Sequence, residues 1–333
     1  MNPIRIMIPN FSPADSFVDN VAFTLKKMGH VVLTMPPISN RQFNSPYRRI
    51  WNQFREKTSR NYLPPQEKWL LKEIDKFKPS LIFTLTQSLS QETLTRIKEK
   101  NIQTAVWWGD PPANMQKQGL LCEGWDKIFI KDKFAAKKLS RLGLPAILLH
   151  EAMNPHWHKP ISQQKNDRLV FAGSFYEYRH FLVKRLIDNS IPVELYGGRL
   201  PIWVDARIKT IHTGKFIVKE EKSLHFGAGL ACVNSTNMRE GNSMNCRAFE
   251  IAGAGGLQIM ENREIISECF DPGKEILTFD SFDELLELVT WVKKEPVAAQ
   301  KVRQAGLKRA LNEHTYQHRL TFILKELDAI RQS

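Results

Sequence analysis

The sequence predicts an α/β protein of two domains, each a parallel sheet wound with helices, on three observations. Short apolar strand segments alternate with amphipathic helical ones along most of the chain. That rhythm stops over the proline-bearing stretch 151–167 and then starts again. A chain of 333 residues with 42% apolar content is also too long for one ordinary core. Two such halves, facing each other across a linker, place a cleft between the carboxyl ends of their strands. The expected division is a domain over 1–155, a second over 165–312, and a C-terminal helical segment over 313–333 that packs back on the first.

Residues 4–8 read as an apolar strand, 9–16 as a polar loop, and Phe17, Val21, Leu25 and Met28 recur at helical spacing up to Gly29. A strand over 31–33 follows. The order repeats as strand 81–85, helix 91–100, strands 103–108 and 127–130, a helix to Leu142 and Gly143, and strand 146–149. Helices that end in basic residues and glycine have the expected C-terminal caps. Beyond the break come strand 169–173, helix 178–187, strand 193–196, a strand-like segment 208–211, helix 219–226 and strand 230–233. Residues 247–250 then form an acidic helical turn that runs into Gly253, Gly255 and Gly256 and the apolar segment 257–260. Helices over 283–293, 297–312 and 316–330 close the chain.

The net charge of +13 is unevenly placed: residues 1–160 hold 24 Lys+Arg against 13 Asp+Glu, and the remainder holds 24 against 22. A field of one sign over one domain favours an anionic partner, whether phosphorylated lipid or glycan, membrane surface or nucleic acid. No run of about 20 apolar residues is present, and the first residues lead into a strand, so a cytoplasmic protein is expected. Cysteines 122, 232, 246 and 269 form neither a CxxC pair nor a zinc spacing, which points to buried free thiols. P-loop, first-strand GxGxxG, HExxH and GxSxG motifs are absent, as is an Asp-x-Asp pair. His314 and His318 have i, i+4 spacing without a third ligand and read as packing histidines.

Four segments could carry chemistry. Gly173, Ser174 and Arg179 follow a strand and lead into a helix, so backbone N–H groups and a guanidinium would meet a diphosphate there; a tight turn with a solvated Arg fits the same residues. Asn242, Ser243, Met244 and Asn245 precede the helix holding Arg247 and Glu250, a second anion cradle. Glu250, beside a glycine-rich bend at the carboxyl edge of a sheet, offers paired acceptors to a ribose diol held close to backbone. It also fits a Glu paired with Arg247 at i−3, and the glycines also fit a helix stop. Trp107, Trp108 and Asp110 end a strand, where indoles could stack on a sugar and Asp110 could act as a base; the alternative is two core indoles and a turn Asp. Finally, residues 47–60 interleave bases with Tyr47, Ile50, Trp51 and Phe54, as suits a helix on an anionic membrane, a nucleic-acid patch, or an aromatic core stripe with a solvated basic face.

The segments 242–250, 270–275 and 313–319 resemble the CgeB-like (spore-maturation type) glycosyltransferases, within the wider group 1 glycosyltransferases, with weaker echoes at 107–112, 173–179 and 195–197. The resemblance implies the GT-B architecture: two facing Rossmann-like domains with an interdomain cleft, the nucleotide-sugar donor in the C-terminal one, the acceptor in the N-terminal one, and no metal or cofactor beyond a UDP-, GDP- or dTDP-linked donor. By position, Glu250 resembles the ribose-binding Glu, Arg179 the basic residue that neutralises the diphosphate, and Met244 and Asn245 the loop whose backbone meets phosphate. The acceptor side would be Asn10, Phe11, Ser12, Trp107, Trp108 and Asp110. Two positions depart from the wider group. Asn242 stands where a second Glu is usual, eight residues before Glu250, and Ser174 stands where an Arg is usual. The resemblance thus implies a transferase and leaves its stereochemistry open, with Asp110 as a base for inversion. The expected acceptor is a glycan, lipid or other anionic molecule, reached by a cytoplasmic protein peripheral at the inner face of the membrane through 47–60. Rival readings are a sugar-nucleotide epimerase of the same fold and a basic nucleic-acid-binding protein.

Overall fold

The computed structural model describes residues 2–37, 54, 63–115 and 120–332. Apart from Phe54, the interleaved basic and aromatic segment 47–60 lies outside them. The chain forms two compact units, Met1–Leu149 with Leu320–Ser333, and His150–Arg319.

The first unit holds a six-stranded parallel sheet of β1 (Arg5–Phe11), β2 (Val31–Met35), β3 (Leu81–Leu85), β4 (Gln103–Trp108), β5 (Lys127–Ile130) and β6 (Ala146–Leu148), in the order β2-β1-β3-β4-β5-β6. Strand β3 is buried at every position, as a central strand covered on both faces must be. Helix α1 (Phe17–Lys27) starts where the Ser16 hydroxyl accepts from Asp19 N, and α3 (Gln91–Lys98) where Ser90 accepts from Thr93 N. Between them, α2 (Pro65–Phe77) was not legible as an element in the sequence, although Pro65 occupies its first turn. It contributes the buried Glu67 carboxylate, which accepts from Ser90 N at 3.1 Å and from the Ser90 hydroxyl at 2.5 Å. Helix α4 (Lys133–Arg141) is capped by Asp132.

The second unit repeats this winding with β7 (Leu169–Ala172), β8 (Val193–Tyr196), β9 (Ala231–Asn234), β10 (Gln258–Glu261) and β11 (Leu277–Phe279), all parallel, in the order β11-β10-β9-β7-β8. Its helices are α5 (Glu177–Asp188), α6 (Ala206–Ile211), α7 (Glu220–Ala228), α8 (Cys246–Gly253), α9 (Ile266–Cys269), α10 (Phe282–Lys294) and α11 (Pro296–Glu313). Helix α12 (Tyr316–Gln332) begins in this unit, and its residues from Leu320 belong to the first. In both sheets the chain reverses its direction of travel once, between β1 and β3 and between β7 and β9. A crevice at the strands' carboxyl ends opens at such a switch point.

One expected strand is a helix. Residues 208–211 lie in α6, because the Asp205 carboxylate caps Arg207 N at 2.8 Å and only Ile208 is buried, so the segment has no alternating inner face. The stretch read as a linker is packed into the second unit, where Met153 pairs with Thr315 and Trp157 and His158 are buried. The glycine cluster is a helix stop at the far end of α8. Gly255 has φ +71, and a Cβ on Gly256 would stand 2.8 Å from the Phe226 carbonyl. Among the described residues, no helix is long and apolar enough to cross a membrane.

Behind α8, Phe249 and Phe270 pack at a tilt against the His314 ring, with centroids 4.9 and 5.3 Å away. Nε2 of His314 lies 2.7 Å from the Cys269 carbonyl and Nδ1 2.9 Å from the Arg319 guanidinium, so Nε2 carries the proton of a neutral ring. Burial, with Arg319 beside it, lowers its pKa to about 3. An unfolded His takes up its proton near pH 6.5, while the folded one stays neutral until about 3. The unfolded chain therefore binds more protons in this window, and stability falls as pH drops from about 6.5 towards 3. Replacing His314 with Asn should lower the melting temperature at neutral pH and flatten that acid limb, by up to about 1.4 kcal/mol per pH unit. Thermal melts of both proteins across this range check it, and parallel acid limbs would contradict it.

Candidate functional site

The site is built at the switch point of the second sheet, where β7 and β9 end. Strand β9 closes in a buried amide, Asn234, whose side chain exchanges two 3.0 Å hydrogen bonds with Asn245. Asn245 also caps α8, its Oδ1 accepting from Ala248 N at 3.1 Å. The amide pair thus fixes the N-terminus of α8, with its exposed N–H groups and positive dipole end, to the sheet edge.

Strand β7 leads into Gly173, at φ +106. A Cβ there would lie 2.1 Å from Nη2 of Arg247, and a Cβ on Gly197 would lie 2.4 Å from the Gly173 carbonyl. Glycine at 173 therefore allows both the backbone turn and the Arg247 guanidinium lying across it. Arg247 is partly exposed and makes one long hydrogen bond, 3.4 Å to Asn234 Oδ1. One turn further along α8, Glu250 is only 4% exposed. Lys222 Nζ on α7 stands 2.9 Å from its Oε1, and His158 Nε2 stands 3.9 Å from it. Arg247, Glu250 and Lys222, with Gly173, Gly197, Ile217 and Phe226, line a cavity of about 90 Å³. Burial, reinforced by the Glu250 charge, pushes the Cys246 thiol at its wall well above the usual range, so that sulfur is no nucleophile.

Arg179, on α5, is 2% exposed and points elsewhere. Its Nε donates to the Ser235 hydroxyl at 2.9 Å, Nη1 to the carbonyls of Ser174 at 2.6 Å and Ala172 at 3.4 Å, and Nη2 to the Tyr176 hydroxyl at 3.1 Å and the Ser235 carbonyl at 3.2 Å. All five guanidinium donors are thereby engaged. Desolvation, with the Arg247 charge next, lowers its pKa to about 10, so it remains charged at neutral pH. The side chain expected to meet a diphosphate therefore braces the 173–176 loop against the residue after β9, and Arg247 is the partly exposed cation at the rim.

The other expected residues divide similarly. Ser174 is exposed, and its carbonyl receives Arg179. Asn242 accepts from Ile265 N at 3.0 Å, Ser243 donates to Glu240 at 2.5 Å, and Met244 is buried in the core under α8. Their side chains shape the approach to α8 and do not face the cavity. The glycines after Glu250 are not in its lining either.

In the first unit, Asn10 binds the backbone of Leu85 from both ends of its amide, at 2.9 and 3.1 Å, and so clamps β1 to β3 at their switch point. Phe11 is exposed and Ser12 half-buried, while Asp110 is exposed just past β4. Trp107 and Trp108 are corrected to core residues. The Trp107 indole is fully buried, edge-on to Phe17 with Nε1 donating to the Leu149 carbonyl at 3.2 Å, and Trp108 packs in the apolar cluster beneath the sheet.

Three residues of the second unit's site were not read from the sequence. Lys222 reaches Glu250 across 28 positions, a pairing no local pattern announces. Asn234 and Ser235 could have been noticed, since two polar residues closing an apolar strand at a sheet edge are themselves a signal.

Residues 179–325 match a family model described as Glycosyl transferase-like. No curated protein matches the sequence. Among solved structures, sucrose-phosphate synthase from Thermosynechococcus elongatus is similar at a TM-score of 0.70 and 14% identity, covering 99% of this chain and 100% of its own. A glycosyltransferase from Rickettsia africae is similar at 0.66 and 11%, with 100% of both chains covered. HepE from Anabaena, in complex with UDP-glucose, is similar at 0.65 and 9%, covering 99% and 100%. The fold is GT-B. Within this GT-B chain, the matched segment begins at Arg179 and includes Lys222, Asn234, Arg247 and Glu250.

The two arginines should separate cleanly. Arg179→Lys keeps the charge and loses the fork, leaving several buried oxygens of the GT-B core without donors, and should cost about 3 kcal/mol. Arg247→Ala, which removes a partly exposed side chain and relieves a like charge, should stay within about 1 kcal/mol of the parent. Chemical denaturation of both variants measures this; equal losses would contradict the assignment.

Proposed function

We propose that the chain is a glycosyltransferase whose nucleotide-sugar donor binds at the carboxyl edge of the second sheet. One observation carries this reading: a buried carboxylate, Glu250, and a guanidinium, Arg247, line one small cavity at a helix N-terminus over a glycine with no room for a Cβ. The carboxylate suits two ribose hydroxyls. The guanidinium and the N–H groups at the start of α8 suit a diphosphate. Support comes also from the glycosyl transferase-like match over these residues and from the UDP-glucose held by HepE.

In this reading the chain's residues do the charge work, without a metal. As the sugar departs, negative charge grows on the leaving nucleoside diphosphate, and Arg247 and the α8 N-terminus meet it. Glu250 anchors the ribose, Lys222 holds that carboxylate in place, and Arg179 keeps the loop rigid so that the donors are already aimed before reaction. Asp110, exposed at a strand end of the first unit, is the proposed base or sugar contact, with Asn10, Phe11 and Ser12 on the acceptor side. The acceptor class is a glycan, lipid or other anionic molecule, the narrower family is the CgeB-like glycosyltransferases that the sequence resembles, and the site of action is the cytoplasm or its membrane face.

Glu250→Gln retains shape and loses charge. Titration calorimetry with UDP, GDP and dTDP should show at least one nucleotide bound by the parent, and about tenfold or weaker binding by the variant, as expected for losing charged hydrogen bonds. Unchanged affinity would remove Glu250 from the ribose.

A further inference from the structure

Helix α4 has a face that its own unit does not use. It buries Ala136 and Leu139 in the core and turns Lys133, Phe134, Lys137, Lys138 and Arg141 outward, with Leu142 at its C-cap. These positions, spaced by one, four, five and eight, share one side of a helix. Phe134 is 70% exposed and Leu142 67%, more than any other large apolar side chain among the described residues of that unit. They stand about 12 Å apart along the axis, with the cations between and beside them. Asp132 is the single acid between residues 131 and 144, and it faces inward, its carboxylate accepting from Ala135 N at 2.7 Å.

We propose that this face docks on an anionic lipid bilayer. The cations alone would suit any polyanion, and they belong to the half of the chain with 24 Lys+Arg against 13 Asp+Glu. The two apolar side chains decide between partners. Phe134 and Leu142 gain by leaving water where acyl chains meet headgroups, with flanking lysines and arginine at the phosphates. A nucleic-acid backbone offers Leu142 no such environment. Contact is peripheral, through side-chain insertion, since no described helix can cross the bilayer. The proposal is independent of the glycosyltransferase reading.

The test is sedimentation of the full chain with vesicles of phosphatidylcholine containing about 30% phosphatidylglycerol, beside pure phosphatidylcholine vesicles and single- and double-stranded nucleic acid. The anionic vesicles should bind the parent, pure phosphatidylcholine should not, and raising salt should weaken binding. Phe134→Ser with Leu142→Ser, and separately Lys137→Glu with Lys138→Glu, should each lower partitioning about tenfold or more while melting like the parent, as surface changes do. The proposal is overturned by absent binding to the anionic vesicles, by equal binding of the Phe134 and Leu142 double variant, or by a preference for nucleic acid over the vesicles.

Discussion

The buried guanidinium of Arg179 is the interaction on which the second unit's site depends. A cation removed from water is costly, and this one is tolerated because five N–H donors meet carbonyl and hydroxyl oxygens from the loop after β7 and the residue after β9. These two strand ends flank the switch point, so the brace sets the width of the crevice at its floor. With Arg179 committed to the scaffold, Gly173 can hold its turn, and Arg247 can lie across it with most of its donors unengaged by hydrogen bonds. Buried charge and partly exposed charge are thereby divided between two arginines, and the Arg247 charge disfavours the proton on Arg179.

Lys222 pairs with the Glu250 carboxylate, and the Arg247 charge stands beside the buried Arg179 guanidinium. A diphosphate entering over Gly173 would relieve the repulsion between the guanidiniums. Glu250 keeps its position through the same helix that presents Arg247, and the Asn234–Asn245 amide pair ties that helix to the sheet. The apolar stack of Phe249, Phe270 and His314 supports the opposite side of the helix. Register along α8 thus places an acceptor of hydrogen bonds and a donor of them one turn apart in the same cavity.

Much of the fold was legible because a buried parallel sheet needs continuous apolar strands separated by capped helices. Each described strand except β10, which was read only as an apolar segment, and β11, and most helices, announced itself that way. Segment 208–211 misled because Ile208 and Ile211 look strand-like until the Asp205 cap is considered, a local hydrogen bond that outweighs weak β-propensity. The site was half legible. Glu250, Arg247 and Gly173 were named from helix and strand ends, whereas the division of labour between Arg179 and Arg247 depends on burial, which spacing does not encode. Trp107 and Trp108 show the same limit: a strand terminus attracts a functional reading, yet both indoles are needed inside the sheet's core. The glycine cluster after Glu250 fits a bend beside the ribose or a helix stop by sequence, and the structure shows the helix stop, with Gly256 close against the Phe226 carbonyl of α7.

The most direct measurement is an experimental structure with a nucleoside diphosphate bound. The account predicts Arg247 on the phosphates over Gly173, both ribose hydroxyls on Glu250, and the Arg179 hydrogen bonds to Ser174, Tyr176 and Ser235 unchanged. A structure in which Arg179 leaves those oxygens to take the phosphates, or in which the nucleotide binds away from Glu250, would contradict it.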